Sequence, residues 1–423
     1  MSTHKLLIIA NNCLSYHNSN GRSLMNLLEK YDKEDISQIY ISGELADESC
    51  CGHSLRITNG DVVRSYIGKQ PVSKNGKNIV VANNSGSQIS SVGKKTAFTM
   101  LLRDLAWDNS YLLKKCILNW SKEQKPDVVI LQLGDSSLLI EMGIFVSKKL
   151  NIPIITYNTE DYYFKKYDYM RRSPSMGFMY RLFHVRYCKK FNKMMNLKPT
   201  SIYNCEGLKK LYDDEFKTTS FVIYGATDFK TVSEEFGLKT TILYAGNLGV
   251  GRHKSLIEIG EVLQSIDKEL VIDVFGSGTE EVERELKAAP GVRFNGLVSY
   301  EEVCEKMKHS RLLVHVESFD LFTKMDAKYA FSTKLADYIK SGIPMLLYAP
   351  STGEGVAYMK KNGAAFFSES KDSLQSVLEQ ALTNERLRKQ VTKDALMLAN
   401  KNHDINHNSQ YFYEIVERAT AVR

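Results

Sequence analysis

Residues 329–348 read YAFSTKLADYIKSGIPMLLY, a whole passage from helix to strand. Ser332 or Thr333 suits a helix N-cap, because a hydroxyl there can accept a hydrogen bond from an orphan amide. Leu335, Tyr338 and Ile339 then recur at helical spacing. Gly342 can take the left-handed conformation that ends a helix, and Pro344 forbids its continuation. Met345–Tyr348 reads as a short buried strand. The helix start places backbone N–H groups beside Lys334, which is how many anion sites are made. Such a start is also common where nothing binds.

The same alternation runs outward in both directions. Upstream, strands are expected at 241–245, 270–275, 292–294 and 312–316, with helices at 254–266, 280–289 and 300–310. Downstream, helices are expected at 373–384, 385–400 and 407–421. The first half has candidate strands at 5–10, 39–42, 127–132, 153–157 and 201–203. Helices are expected through Leu24, Leu27 and Leu28, then over 96–122 and 137–150. The stretch 43–95 reads as polar and irregular, with short strands such as 79–81. Strands alternating with helices at this spacing make parallel sheets covered on both faces. A chain of 423 residues exceeds one ordinary core. The expectation is therefore an α/β fold of two doubly wound Rossmann-like domains facing a cleft. Their ligands would sit beyond the carboxyl ends of the strands. The boundaries read as 1–224, 225–400 and a C-terminal helix at 401–423 that can cross back to the first domain, with the junction near 224–238.

Composition narrows the function classes. With 43% hydrophobic and 25% charged residues and only 8 prolines, the chain is globular. Its seven cysteines are scattered and form no C-x-x-C pair, which speaks against a zinc or redox motif and for reduced thiols in the cytoplasm. The apolar run at 5–10 is too short for a signal peptide, and Asp135 and Glu141 interrupt 128–146, so no membrane span is expected. Net charge is +7, yet residues 165–198 hold ten Lys and Arg against one acid, Asp168. Confinement of the excess to one segment argues against nucleic acid. A helix is expected over 173–195 with Pro174 at its first position. Met176, Tyr180, Phe183, Tyr187, Phe191 and Met194 share one face, while Arg181, Arg186, Lys189 and Lys193 lie mostly on another. That helix either lies on an anionic membrane or packs on the first domain with its basic side in water.

Three turns could hold a phosphate. Gly246-Asn247-Leu248-Gly249-Val250-Gly251-Arg252-His253 follows a strand, and its glycines allow close backbone approach while Arg252 offers a guanidinium fork. Gly246 and Gly251 have P-loop spacing, but Arg252-His253 stands where Lys-Ser/Thr is required, so a P-loop is excluded. Phe275-Gly276-Ser277-Gly278 begins like a dinucleotide fingerprint, yet Glu281 occupies the third glycine position. The third turn is Ser332-Thr333-Lys334. All three lie at strand ends of one expected sheet, where Arg252 and Lys334 could share a diphosphate.

At this point residues 221–367 resemble the nucleotide-binding domain of the GT-B glycosyltransferases, in particular the retaining family 4 type. The resemblance is carried by FVIYGATDF, YAGNLGVGRHKSL, DVFGSGTEE, VRFNGLVSYEEV and FSTKLADYIKSGIPMLLY. It implies donor contacts from Gly246, Asn247, Gly249, Gly276, Ser332 and Thr333, with the base on Gly296-Leu297-Val298. The family's phosphate arginine is Asn247 here, and its lysine is Arg252, so one of the two cations is either missing or replaced by Lys254 or Lys334. The acid that holds the ribose falls on Asp337. The family's other glutamate has no clean match; Glu317 and Asp320 stand nearest. In the first half, Gly21 resembles the family's glycine loop; the family's His-Asp has no counterpart, and Glu160 or Asp161 would stand in its place.

The activity implied is a retaining transfer of sugar from a nucleoside diphosphate to a glycan or lipid-linked acceptor, in surface polysaccharide assembly. Arg252 and Lys334 would stabilise the departing diphosphate, which itself takes the acceptor's proton. No metal and no cofactor beyond the donor are expected. The expected location is cytoplasmic, and it is peripheral on the inner membrane face if 165–198 meets the membrane rather than packing. Two rival readings use the same residues. One is a GT-B-fold sugar-nucleotide epimerase, and the other is a non-catalytic nucleotide- or glycan-binding module.

Overall fold

The computed structural model describes residues 4–16, 19–41, 45–69, 96–232 and 240–421. The strand expected at 79–81 lies outside them. The chain forms two units, Met1–Ile223 joined by Ser409–Arg423, and Tyr224–Asn408.

Unit 1 is built on seven strands: β1 (Leu6–Ala10), β2 (Ile36–Tyr40), β3 (His53–Arg56), β4 (Val128–Gln132), β5 (Ile154–Asn158), β6 (Thr200–Tyr203) and β7 (Ser220–Val222). They lie in the order β3-β2-β1-β4-β5-β6-β7, every pair parallel. The helices are α1 (Ser19–Leu27), α2 (Asn59–Tyr66), α3 (Ala97–Asn109), α4 (Tyr111–Gln124), α5 (Ser137–Leu150), α6 (Phe178–Met195) and α7 (Glu206–Phe216). Strand β1 is apolar at every position because the sheet buries both of its faces.

Unit 2 holds β8 (Thr241–Ala245), β9 (Ile272–Phe275), β10 (Val292–Gly296), β11 (Ser310–Val316), β12 (Met345–Tyr348) and β13 (Phe366–Ser368). Their order is β10-β9-β8-β11-β12-β13, again all parallel. Around them lie α8 (Arg252–Ile266), α9 (Glu280–Ala288), α10 (Tyr300–Lys308), α11 (Leu321–Ala327), α12 (Lys334–Lys340), α13 (Glu354–Lys361), α14 (Lys371–Thr383) and α15 (Glu385–Asn402). The last helix, α16 (Ile405–Ala421), brings Phe412, Ile415 and Val416 into the unit 1 core beside Leu6 and Val128. In both sheets the order reverses beside the first strand. In unit 2 this places the switch point between β8 and β11, where doubly wound sheets bind ligands.

Several expectations are corrected. The helix expected over 96–122 is two helices. Ser110 (ψ 100°) breaks the run and caps α4 by accepting from Leu113 N–H at 3.3 Å. The helix expected from 173 starts at Phe178, so Pro174 lies before it. Asp168 and Ser173 exchange two backbone hydrogen bonds of 3.0 Å, and Arg172 is left-handed (φ +50°), which keeps that stretch a tight turn. Thr333 precedes α12 without a side-chain cap, whereas Gly342 (φ +80°) does terminate it. Strand 201–203 is not the last of unit 1, since α7 and β7 follow it. Residues 45–69, read as irregular, contain β3 and α2.

Candidate functional site

The turns after the first three strands of unit 2 are joined by backbone hydrogen bonds. Gly246 N–H donates to Phe275 O at 2.9 Å, and Gly276 N–H donates to Gly296 O at 2.8 Å. Gly246 and Gly276 sit at φ +148° and +157°, where a side chain is strained. A Cβ on Gly276 would lie 2.0 Å from Gly246 O, so these turns can touch only as glycines. Asn247 does not project a charge. Its Oδ1 accepts from Gly249 N–H at 2.6 Å and closes the turn.

The turn then enters α8 through two left-handed residues, Val250 (φ +53°) and Gly251 (φ +82°). A β-branched residue in that region costs about 1–3 kcal/mol and persists only where its surroundings hold it. Here Thr323 Oγ1 donates to Val250 O at 3.0 Å, and Ser318 Oγ would lie 2.7 Å from a Cβ on Gly251. Asp320 belongs to the same support. It caps α11 by accepting from Thr323 N–H at 3.0 Å, and it accepts from Ser318 Oγ at 2.6 Å.

This entry delivers Arg252 across the switch point. Its Nε and Nη2 donate to Glu317 Oε2 and Oε1 at 3.0 and 3.1 Å, a two-pronged pair between the first residue of α8 and the end of β11. His315 lies on β11 two residues before Glu317, whose N–H continues the pairing to Tyr348 O at 3.2 Å, so the two side chains share a face. Its Nε2 is 3.3 Å from Glu317 Oε1, and its buried Nδ1 has no partner. Burial keeps the His315 ring neutral by lowering its pKa. Burial opposes ionisation of Glu317 too, but the His315 bond and the charges of Arg252 and Lys334 outweigh it and hold the carboxyl down at about 2.

Lys334 completes the group. Its Nζ is sealed from solvent, has no hydrogen-bond partner, and lies 4.4 Å from the centroid of the Tyr244 ring on β8. Tyr338, one turn further along α12, accepts from Ala245 N–H at 3.3 Å and fixes that helix to the end of β8. Burial, then repulsion from Arg252, pushes the Lys334 pKa down to about 7, against the pull of Glu317. A lone ammonium held beside a second cation, at the carboxyl ends of parallel strands, is an incomplete charge arrangement that a bound anion would complete.

The other expected residues fall in different settings. Leu297 is 76% exposed beside Gly296 (φ +76°), where a Cβ would meet nothing within 4 Å. Val298 is half-buried. Ser332 and Thr333 lead directly into α12. Asp337 is buried, and its Oδ1 accepts from Thr227 Oγ1 at 2.5 Å. Glu160 and Asp161 belong to unit 1. Glu160 is exposed and accepts from the Tyr162 hydroxyl. Asp161 is buried, accepting from Tyr163 and Phe164 N–H at 3.1 and 3.0 Å and from Tyr212 Oη at 2.8 Å, so its oxygen shapes a turn. Gly21 lies in α1, where a Cβ would stand 2.7 Å from Ser15 N. His315 and Tyr244 were not anticipated. The alternation His315-Val316-Glu317 was the available signal for the first. Among the described residues, no group of three or more His, Cys, Asp or Glu is placed to hold a metal ion.

Residues 257–414 match a family model described as glycosyl transferase-like. No curated protein matches the sequence. Solved structures align along nearly the whole chain. HepE from Anabaena in complex with UDP-glucose is 12% identical, with a TM-score of 0.62 over 98% of this chain and 100% of that one. The fold is GT-B. Sucrose-phosphate synthase from Thermosynechococcus elongatus (10% identity, TM-score 0.61) and a glycosyltransferase from Rickettsia africae ESF-5 (12%, 0.59) each align over 99% of both chains. At such identities the likeness is one of fold. The matched stretch of this GT-B chain takes in Glu317 and Lys334, but begins after Arg252 and the turn that carries it.

Proposed function

We propose that the protein is a retaining glycosyltransferase that moves a sugar from a nucleoside diphosphate to a glycan or lipid-linked acceptor in surface polysaccharide assembly. The observation that carries this reading is the meeting of Arg252, Lys334 and the linked turns at Gly246 and Gly276 at the switch point of unit 2. Arg252 and Lys334 would receive the diphosphate and stabilise its charge as the anomeric bond breaks. The departing phosphate takes the acceptor's proton, and the reading asks for no metal. The base would rest on the Gly296-Leu297-Val298 turn, and Asp337 would take the ribose hydroxyls. HepE holds UDP-glucose, so a UDP-sugar is the first donor to try. A lipid-linked acceptor would place the protein on the cytoplasmic face of a membrane.

The test is a thermal-shift panel of UDP, GDP, ADP and CMP, followed by donor turnover with and without acceptor. One nucleoside diphosphate should raise the melting temperature, and Arg252→Gln and Lys334→Met should each remove that shift. Unchanged affinity in both variants would end the assignment. A second reading, a nucleotide-binding module without catalysis, is favoured by Asn247, whose side chain closes the loop where a second cation is expected. It predicts the same thermal shift with no turnover of any donor.

A further inference from the structure

Helix α6 buries Tyr180, Phe183, Tyr187, Phe191 and Met194 in unit 1. Some of its cations are tied to neighbouring helices. Arg186 and Lys190 both reach Asp108 on α3, and Lys193 Nζ lies 3.1 Å from Glu141 on α5. Lys165 is buried, 4.9 Å from the centroids of Tyr162 and Tyr169. These contacts hold the unit together, and the apolar face from Tyr180 to Met194 is internal. The opposite face is unusual in another way. Phe178, Leu182 and Val185 are 75%, 42% and 59% exposed, at the spacing of one helical stripe. Arg181 and Lys189 flank that stripe and are exposed.

The neighbouring helix repeats the pattern. α3 packs on α6 through Ala97 and Met100 against Tyr180 and Phe183, and it exposes Phe98, Leu102 and Leu105 on its outer side. Among the described residues of α3 and α6, no exposed acid opposes the cations. α6 contains no Asp or Glu, and the two acids of α3 are withdrawn. Asp104 is fully buried and accepts from Ser137 Oγ, while Asp108 takes Arg186 and Lys190. Lys166, Arg171 and Arg172, shortly before α6, are exposed as well.

We infer that the outer stripe of α6, together with that of α3, is a docking surface for an anionic lipid bilayer. Aromatic and aliphatic side chains would enter the boundary between headgroups and acyl chains, and Arg181 and Lys189 would pair with lipid phosphates. The complementarity lies in the combination. Large apolar groups on an outward helical face have no use for a nucleic acid backbone, and flanking cations without exposed acids fit a negatively charged sheet of headgroups. The inference deepens the membrane placement that a lipid-linked acceptor would require, but it stands on α3 and α6 alone and can be tested without any sugar donor.

The experiment is flotation of the full chain with vesicles of phosphatidylcholine alone or mixed with phosphatidylglycerol. Three variants are compared, Leu182→Ser/Val185→Ser, Arg181→Gln/Lys189→Gln, and Phe178→Trp. All alter exposed positions, and circular dichroism with thermal melting checks that they fold. Wild type should float with the anionic vesicles and much less with phosphatidylcholine. Each double variant should bind at least tenfold more weakly, and the charge variant should lose most of its salt dependence. Phe178→Trp should show a blue shift of its added fluorescence on anionic vesicles. Failure of wild type to float, or wild-type flotation by the Leu182/Val185 variant, would overturn the inference. So would a dimer in solution that dissociates in that variant while vesicles bind nothing, since the stripe would then join two copies.

Discussion

A Cβ built on Gly246 would stand 2.3 Å from Lys334 Nζ and 3.0 Å from its Cδ and Cε. The glycine is therefore the floor on which the ammonium rests, and its φ of +148° is a second reason for it. Replacing it by alanine should lift the lysine from its place over Tyr244 while the sheet beneath survives. The expected result for Gly246→Ala is a loss of about 1–3 kcal/mol in stability from the backbone alone. Nucleoside diphosphate affinity should fall at least tenfold. Calorimetric titration reads the second quantity, and an unchanged dissociation constant would show that Lys334 does not meet the ligand.

Lys334 should also make the protein sensitive to pH. Its pKa falls from 10.5 to about 7 on folding. Between those values the unfolded chain holds the extra proton, so stability should rise as pH increases from about 7 towards 10.5. A diphosphate beside the amine reverses the preference, because it favours the ammonium. Binding should then take up a proton above pH 7 and weaken as pH rises. Titrations at pH 8 in buffers of different ionisation enthalpy measure that proton directly. Lys334→Met should abolish both the uptake and the rise in stability. Equal apparent enthalpies across buffers for wild type would refute the assignment.

Glu317 holds Arg252 by a two-pronged pair, and that makes a third prediction. Its carboxyl titrates near 2 in the fold instead of the ordinary 4.5. The stability it contributes is present above 4.5 and disappears as pH falls towards 2. Glu317→Gln should lack that acid limb and should cost about 3–5 kcal/mol at neutral pH, because it leaves Arg252 without its charge partner. The same change leaves two cations facing one another. A bound diphosphate should therefore restore more stability to Glu317→Gln than to wild type. Urea midpoints with and without saturating UDP provide the comparison, and equal restoration in the two proteins would count against a shared anion site.

The sequence reading was most accurate where glycine and proline punctuate buried strands. Thr241–Ala245 and Met345–Tyr348 were bounded correctly because the apolar runs are short and the next residues, Gly246 and Ala349-Pro350, end them. It failed at Ser110, where a polar break hides within a continuous apolar period. It also failed ahead of α6, where the turn at Asp168–Ser173 depends on two backbone bonds that no propensity encodes. Arg252 and Lys334 were both visible as cations on turns. Their pairing partners were not, because Glu317 is 65 residues from Arg252 and only the parallel order of β8 and β11 brings them together. The basic segment was only partly legible for the same reason. Its charge was legible, but Asp108, which absorbs Arg186 and Lys190, lies 78 and 82 residues away.

Asp337 offers the last test, because two roles for it separate cleanly. Thr227 Oγ1 donates to its Oδ1 at 2.5 Å and accepts from Phe229 N–H at 3.0 Å, so the acid anchors the segment that opens unit 2. A purely structural acid would make Thr227→Val and Asp337→Asn alike, each losing about 1–3 kcal/mol as a buried polar group goes unsatisfied. A ribose-binding acid would add a second effect to Asp337→Asn alone. Wild type and Thr227→Val should then prefer UDP to 2′-deoxy-UDP, and Asp337→Asn should bind the two equally. If Asp337→Asn keeps the full preference, the ribose hydroxyls are held elsewhere, and Asp337 is only the anchor of Thr227.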